Sequence, residues 1–208
     1  MSGTEGYAEE ADALVLQYER ISFADGHRAV LHLIPPPPCR VLDIGSGTGR
    51  DAAGFAAMGH RVVAVEPTTA LRTRAEVLHP SPQIEWLDDG LPELARLRAR
   101  GEAFDVVMLM AVWMHLDERQ RRQAMPHVAS MVRPGGVMIM SLRYGPVPNG
   151  RRMFVVSTDE TTRLAAAEGL RLVLRRDSND RFLKRPGVTW TRLAFARDGA
   201  AATPARGG

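Results

Sequence analysis

The sequence predicts an α/β fold: a doubly wound, mostly parallel sheet of seven strands with helices on both faces, preceded by an N-terminal helical segment. Three observations predict it. Short, almost unbroken apolar runs recur at 41–44, 61–66, 104–110 and 137–143, the pattern of strands buried on both faces. Segments of helical period with recognisable caps and stops separate those runs. The first run then enters Gly45-Ser46-Gly47-Thr48-Gly49, a tight glycine turn that delivers the chain into a helix beginning at Arg50.

At 208 residues the chain is long enough for one domain with a sheet buried on both faces. The single cysteine, Cys39, excludes a disulfide framework and a cysteine-rich metal site, and it suits a reducing compartment, so a cytoplasmic location is expected. The histidines are spread without ligand spacing, so no metal is expected. The first thirteen residues are polar and acidic, unlike a signal peptide, and no apolar run approaches the roughly 20 residues that span a bilayer. The net charge is +3, and of the 27 basic residues only Lys184 is a lysine. These arginines are scattered among 24 acids, which argues against nucleic acid as a partner without excluding it; the cluster Arg175, Arg176, Arg181, Lys184, Arg185 is the exception.

Taken in order, apolar groups at Ala11, Leu14, Val15 and Tyr18 give an amphipathic helix over 8–20. A second helix is expected from Ser22, with Asp25 as capping partner, to just before Pro35. Prolines 35–38 form a stiff connector. After strand 41–44 and the glycine turn, a helix over 50–58 closes at Gly59. Strand 61–66 ends in Glu66, and a carboxylate at the end of a second strand can accept hydrogen bonds from two vicinal ribose hydroxyls. Thr68 or Thr69 caps a helix through Val77, strand 84–87 leads into Asp88-Asp89-Gly90, and a helix is expected over 92–100. Strand 104–110 exits through Ala111-Val112-Trp113-Met114-His115-Leu116. Asp117 caps a helix to Met131 that contains Pro126, residues 133–136 turn the chain, and strand 137–143 follows. Residues 144–156 form a long loop, Ser157 and Glu160 a capping box for a helix to Glu168, and 170–174 and 188–195 two last strands around a basic loop at 175–186. The expected units are thus a helical lid over 1–38, a domain over 39–197 and a disordered tail over 198–208.

The turn reads G-x-G-x-G, with Asp43 two residues ahead of it, and Arg50 falls where a dinucleotide fingerprint has its third glycine. With the R-P-G-G at 133–136 before an apolar strand, this resembles the class I S-adenosylmethionine-dependent methyltransferases of the bacterial small-molecule type. The resemblance implies a Rossmann-like fold whose last strand enters antiparallel between its neighbours, with N-terminal helices closing over cofactor and substrate. It implies S-adenosylmethionine as cofactor, held by Asp43, Gly45, Ser46, Gly47, Thr48, Gly49 and Arg50 at the loop, Glu66 and Pro67 after the second strand, and Met110 and Val112 after the fourth. Asp88 or Asp89 would meet the adenine; counting does not choose between them.

The activity so implied is methyl transfer to oxygen or nitrogen of a small-molecule acceptor. His115 is the candidate base, since imidazole takes a proton near neutral pH. Arg143 could hold a substrate carboxylate or phosphate through paired hydrogen bonds. Tyr18, Phe23 and His27 are lid candidates, Trp113 a candidate wall of the acceptor site, and Arg152 a candidate acceptor contact in the long loop. Methylases of nucleic-acid amino groups carry an acid or asparagine, then Pro-Pro and an aromatic residue, where this chain has 111–116. Three other readings are an RNA or protein methyltransferase using 175–185, a nicotinamide-dependent oxidoreductase, and a cofactor-binding scaffold without catalysis.

Overall fold

The computed structural model describes residues 3–199, and the expected tail lies outside the described residues from residue 200 onward. Two short helices come first, α1 at Ala11–Tyr18 and α2 at Phe23–His27, followed by a 3-10 turn at Leu31–Leu33. The long second helix expected up to Pro35 therefore does not form. Ser22 caps α2 by accepting from the Asp25 N–H at 3.1 Å, but the helix stops after one turn and a half, where the Val30 N–H bonds back to His27. The alternation then begins with β1 at Arg40–Ile44, α3 at Arg50–Ala57, β2 at Arg61–Val65, α4 at Thr69–Leu78 and β3 at Ile84–Leu87. It continues with α5 at Ala95–Ala99, β4 at Phe104–Leu109, α6 at Glu118–Ser130, β5 at Val132–Tyr144, α7 at Thr158–Ala167, β6 at Leu170–Asn179 and β7 at Thr189–Arg197.

The seven strands form one sheet in the order β3-β2-β1-β4-β5-β7-β6. Pairings from β3 to β5 are parallel, and β7 runs antiparallel to both β5 and β6, as the resemblance implies. The order reverses at β1, with β2 on one side and β4 on the other, so the carboxyl ends of β1 and β4 open a crevice of the kind that binds ligands in such sheets.

Alternate residues of the same strands fill two separate cores, which is why the runs read as unbroken apolar sequence. Leu42, Ile44, Val107, Leu109, Met138 and Met140 face one side, where α5 to α7 pack with Leu97, Met125, Val128 and Ala165. Val41, Val62, Ala64, Val106, Met108 and Ile139 face the other, covered by Ala52 and Phe55 of α3. Phe23 of α2 meets Phe55 edge-on at 4.9 Å between ring centres, and His27 lies 3.0 Å from the Asp51 carboxylate, so the lid segment is docked on α3.

Several boundaries differ from the sequence reading, each for a local reason. Residues 133–136 do not end the strand's pairing: Phe104 pairs with Val132 and Val106 with Val137, so the Arg-Pro-Gly-Gly stretch bulges out within β5. The helix expected at 92–100 shrinks to Ala95–Ala99, because Leu94 sits at φ +46 and starts it late. Ser157 accepts from the Glu160 N–H at 3.0 Å, but the Glu160 carboxylate turns to Arg121 at 2.8 Å instead of closing the box. The last hairpin is longer than expected: Arg175, Arg176, Asp177, Ser178 and Asn179 pair with β7, so five of the twelve residues of the expected basic loop are strand.

Candidate active site

The glycine turn is forced by geometry. Gly45, Gly47 and Gly49 have φ of +71, +58 and +83, where any other residue is strained. A Cβ on Gly45 would lie 2.6 Å from Val112 Cγ2, and one on Gly49 2.5 Å from the Trp86 ring. The turn is pinned to β2: the N–H groups of Gly45 and Ser46 donate to the Val65 carbonyl at 2.8 and 3.0 Å. Gly47 N–H donates to one Glu66 oxygen at 2.9 Å, and Thr68 N–H to the other at 2.8 Å. Glu66 is thus a buried carboxylate joining both βα turns. Burial pushes its pKa up, and those two N–H groups with Arg72 hold the rise back.

Within β1 and the glycine turn, Asp43 and Ser46 have buried side-chain oxygens without a hydrogen-bond partner, Asp43 Oδ2 and Ser46 Oγ. Burial pushes the Asp43 carboxyl well above the usual range, and the charges of Asp51 and Glu66 add to the rise. A cationic, hydrogen-bonding group beside the turn would relieve both. Thr48 and Arg50 are committed elsewhere: Thr48 Oγ1 donates to Glu19 at 2.6 Å, and Arg50 pairs with Asp51 at 2.7 Å. Both nonetheless line the cavity, as does Pro67. Burial opposes ionisation of Asp51, but His27 and Arg50 overcome it and hold that carboxyl far below its ordinary value.

After β3, the Asp89 carboxylate accepts from the N–H groups of Gly90 and Leu97 at 2.9 and 2.8 Å, so it caps its own loop and α5. Asp88 lies 3.2 Å from Arg72 with its side chain 47% exposed. Neither lines the cavity, whose wall there is Gly90 and Leu91. Beyond β4, Met110, Ala111 and Val112 form the wall, with Ala111 held at φ +58 by its N–H bond to Ser141 Oγ at 2.8 Å. A 3-10 turn at Trp113–His115 follows. Trp113 is wholly buried in the core beside α6 and β5 and does not face the cavity, which corrects its expected role as an acceptor wall. In a 3-10 turn successive side chains point about 120° apart, so Met114 and His115 face the cavity while Trp113 faces inward.

His115 is buried, with Nδ1 2.8 Å from the Arg152 carbonyl and Nε2 2.9 Å from the Tyr7 hydroxyl. A carbonyl only accepts, so Nδ1 carries the proton, Nε2 offers a lone pair, and the Tyr7 O–H donates to it. Burial shifts His115 down despite the Arg152 carbonyl, and burial with Tyr18 shifts Tyr7 up, which keeps both rings neutral near pH 7. Tyr7 is the residue that sequence reasoning missed. The Arg151 guanidinium covers its ring at 4.0 Å and pairs with Glu10 at 2.7 Å. Arg152 itself points away, 3.7 Å from Asp117 and over the Phe154 ring, so its link to the site is its carbonyl.

These groups surround one cavity of about 630 Å3 over the carboxyl ends of β1 and β4. Its roof comes from the N-terminal segment: Tyr7, Leu14, Tyr18 and His27 line it, whereas Phe23 packs on α3. Arg143 at the end of β5 and Arg176, Arg185 and Arg192 of the last hairpin line the far side. Cys39 is buried away from the cavity beside His60, at 3.0 Å, and burial pushes its thiol up to about 11. Among the described residues no helix is long and apolar enough to cross a membrane, and no three His, Cys, Asp or Glu residues are grouped to hold a metal ion.

Residues 41–136 match a family model described as a methyltransferase domain. The glycine N-methyltransferase of Oryctolagus cuniculus is 29% identical over 145 residues, which cover 57% of this chain and 48% of that protein. The ubiquinone biosynthesis O-methyltransferase of Xanthomonas campestris is 27% identical over 132 residues, covering 57% and 54%. The chain thus spans about half the length of the curated relatives it matches. Among solved structures, the Burkholderia thailandensis 1,6-didemethyltoxoflavin-N1-methyltransferase, solved with 1,6-didemethyltoxoflavin and S-adenosylhomocysteine bound, superposes with a TM-score of 0.67. That likeness covers 92% of this chain and 88% of that one at 19% identity, and it is a likeness of fold. The segment matched to the methyltransferase-domain model spans the glycine turn and strands β1 to β4, so the carboxyl ends of β1 and β4 that border the cavity lie within it.

Proposed function

We propose that this chain transfers the methyl group of S-adenosylmethionine to oxygen or nitrogen of a small-molecule acceptor. The observation that carries the reading is the pair of unpartnered buried oxygens, Asp43 Oδ2 and Ser46 Oγ, beside a turn whose glycines leave no room for a Cβ. They fit the ammonium-bearing end of the cofactor, and Glu66, with lone pairs left beyond its two backbone bonds, fits the ribose hydroxyls. Gly90 and Leu91 would border the adenine, a part expected of Asp88 or Asp89 and better suited to the residues that line the cavity. Residues 1–38 act as the lid over a catalytic domain at 39–197.

When bound, S-adenosylmethionine supplies a methyl group already activated by a positive sulfur. The protein's share is alignment, exclusion of water and the handling of one proton. Met110 and Val112 wall the transfer site, while Tyr7 and Tyr18 cover it. An acceptor hydroxyl that donates to the Tyr7 oxygen has a proton path: its proton passes to Tyr7 as the Tyr7 proton passes to His115 Nε2, 2.9 Å away. The acid partners of Arg175 and Arg185, namely Asp177 and Asp180, speak against a nucleic-acid surface at the last hairpin.

Calorimetric titration with S-adenosylmethionine, S-adenosylhomocysteine and NADH in parallel tests the reading. The first two should bind with micromolar Kd and NADH should not, and Glu66→Ala should weaken binding about tenfold. Binding of NADH alone, or an unchanged affinity in Glu66→Ala, would overturn it.

A further inference from the structure

Half of the arginines that line the cavity have acid partners: Arg28 has Asp25, Arg50 has Asp51, Arg151 has Glu10 and Arg185 has Asp180. Arg143 has none. It is 6% exposed and lines the cavity from the end of β5. One terminal nitrogen donates to the Pro146 carbonyl at 2.8 Å, the other lies 3.7 Å from the Met153 sulfur, and Nε is buried without a partner. Among the described residues no carboxylate comes within 4.0 Å of its guanidinium. Asp180, the acid whose charge reaches it, is already committed to Arg185 at 2.7 Å and to the Trp190 indole at 3.2 Å. Arg192, on the same wall, likewise has a carbonyl, Gly26, as its hydrogen-bond partner. A buried guanidinium with an idle donor is costly unless a ligand supplies the missing charge.

We infer that the methyl acceptor is an anion, with a carboxylate or phosphate seated on Arg143. The inference rests on the methyl-transfer reading, since it names what fills the cavity next to the cofactor. The sheet order separates the two ends of the site. Glu66 follows β2, Arg143 ends β5, and β1 and β4 lie between them, which puts the two about 14 Å apart at roughly 4.8 Å per strand. Arg143 also lies within electrostatic reach of Tyr7 and Tyr18. An acceptor held by its oxyanion there therefore lies beside the Tyr7–His115 pair and across the cavity from the ribose end. A guanidinium suits this task because its planar donors meet two oxygens at once, which an ammonium does not.

The test uses the full chain saturated with S-adenosylhomocysteine and titrated calorimetrically with matched probes. Benzoate, 4-hydroxybenzoate and succinate are each set against their amides, and phenyl phosphate against phenol. At least one anion should bind about tenfold more tightly than its neutral partner, and whether it is a carboxylate or the phosphate identifies the source of the oxyanion. Arg143→Gln should abolish the preference and Arg143→Lys retain part of it, both with S-adenosylhomocysteine affinity within about twofold of the parent. The inference is overturned if no anion is preferred, or if the preference survives in Arg143→Gln. It is also overturned if Arg143→Gln loses the homocysteine ligand while its unfolding temperature is unchanged, because Arg143 then serves the cofactor. Failure of the unaltered chain to bind S-adenosylhomocysteine sinks the methyl-transfer reading instead, and the same probe pairs on the unloaded protein then decide the anion preference.

Discussion

The two halves of the cavity are built in different ways. Around the cofactor end, the partners are close along the chain: Gly47 and Glu66 are 19 residues apart, and Thr68 and Glu66 only 2. Around the acceptor end, Tyr7 meets His115 across 108 residues, Arg151 meets Glu10 across 141, and Arg192 meets Gly26 across 166. One half is a local motif set by backbone geometry. The other is assembled only once the lid, the long loop and the final hairpin have come together. Changes in the first should therefore act on cofactor binding with the fold intact, and changes in the second on the lid and the acceptor.

The largest expected effect belongs to neither half. Trp113→Ala removes a wholly buried side chain of the core and should destabilise the protein by about 3–5 kcal/mol, read by denaturant unfolding. A variant with full stability and an altered ligand preference would return Trp113 to the acceptor wall.

Gly45→Ala sharpens the contrast. Its Cβ would sit 2.6 Å from Val112 Cγ2 at a φ of +71, a backbone strain of roughly 1–2 kcal/mol before any clash. S-adenosylhomocysteine affinity should fall at least about tenfold, with the far-ultraviolet spectrum unchanged. Equal affinity would mean that the ligand does not approach this turn.

Titration of Asp43 separates the halves by pH. Burial, Asp51 and Glu66 raise its pKa, with Arg50 opposing, so the free protein keeps this proton to a higher pH than an ordinary carboxyl does, and a bound cation favours its release. Affinity for S-adenosylmethionine should therefore rise with pH, by at most about tenfold per unit, and level off once Asp43 is ionised in the free protein. Asp43→Asn should flatten that profile, and a slope retained in the variant would assign the proton elsewhere. The smallest effect is at the latch between lid and turn. Thr48→Val removes the 2.6 Å bond to Glu19 and should cost about 1 kcal/mol, seen as faster hydrogen exchange in α1. Unchanged exchange there would show that the latch does not hold the lid.

The same contrast explains what was legible in the sequence. Strand positions could be read because β1, β2 and β4 are buried on both faces, and their apolar runs need no knowledge of what covers them. The glycine turn and Glu66 were legible because φ values and close approach are properties of a few adjacent residues. Trp113 was misplaced because it adjoins Val112 in sequence, yet a single 3-10 turn rotates it into the core. Tyr7 was missed because it lies ahead of α1, outside any periodic pattern, with its partner beyond β4. The extent of β6 was hidden too: an exposed hairpin strand rich in arginine gains its pairing from β7, not from an apolar pattern of its own.

The most direct measurement is a crystal structure of the full chain with S-adenosylhomocysteine. The account predicts ribose hydroxyls on Glu66, the amino group beside Asp43 and Ser46, the sulfur against Val112, and Arg143 free of the ligand. A ligand whose carboxylate sits on Arg143, or whose ribose lies away from Glu66, would contradict the division of this cavity into a cofactor end and an acceptor end.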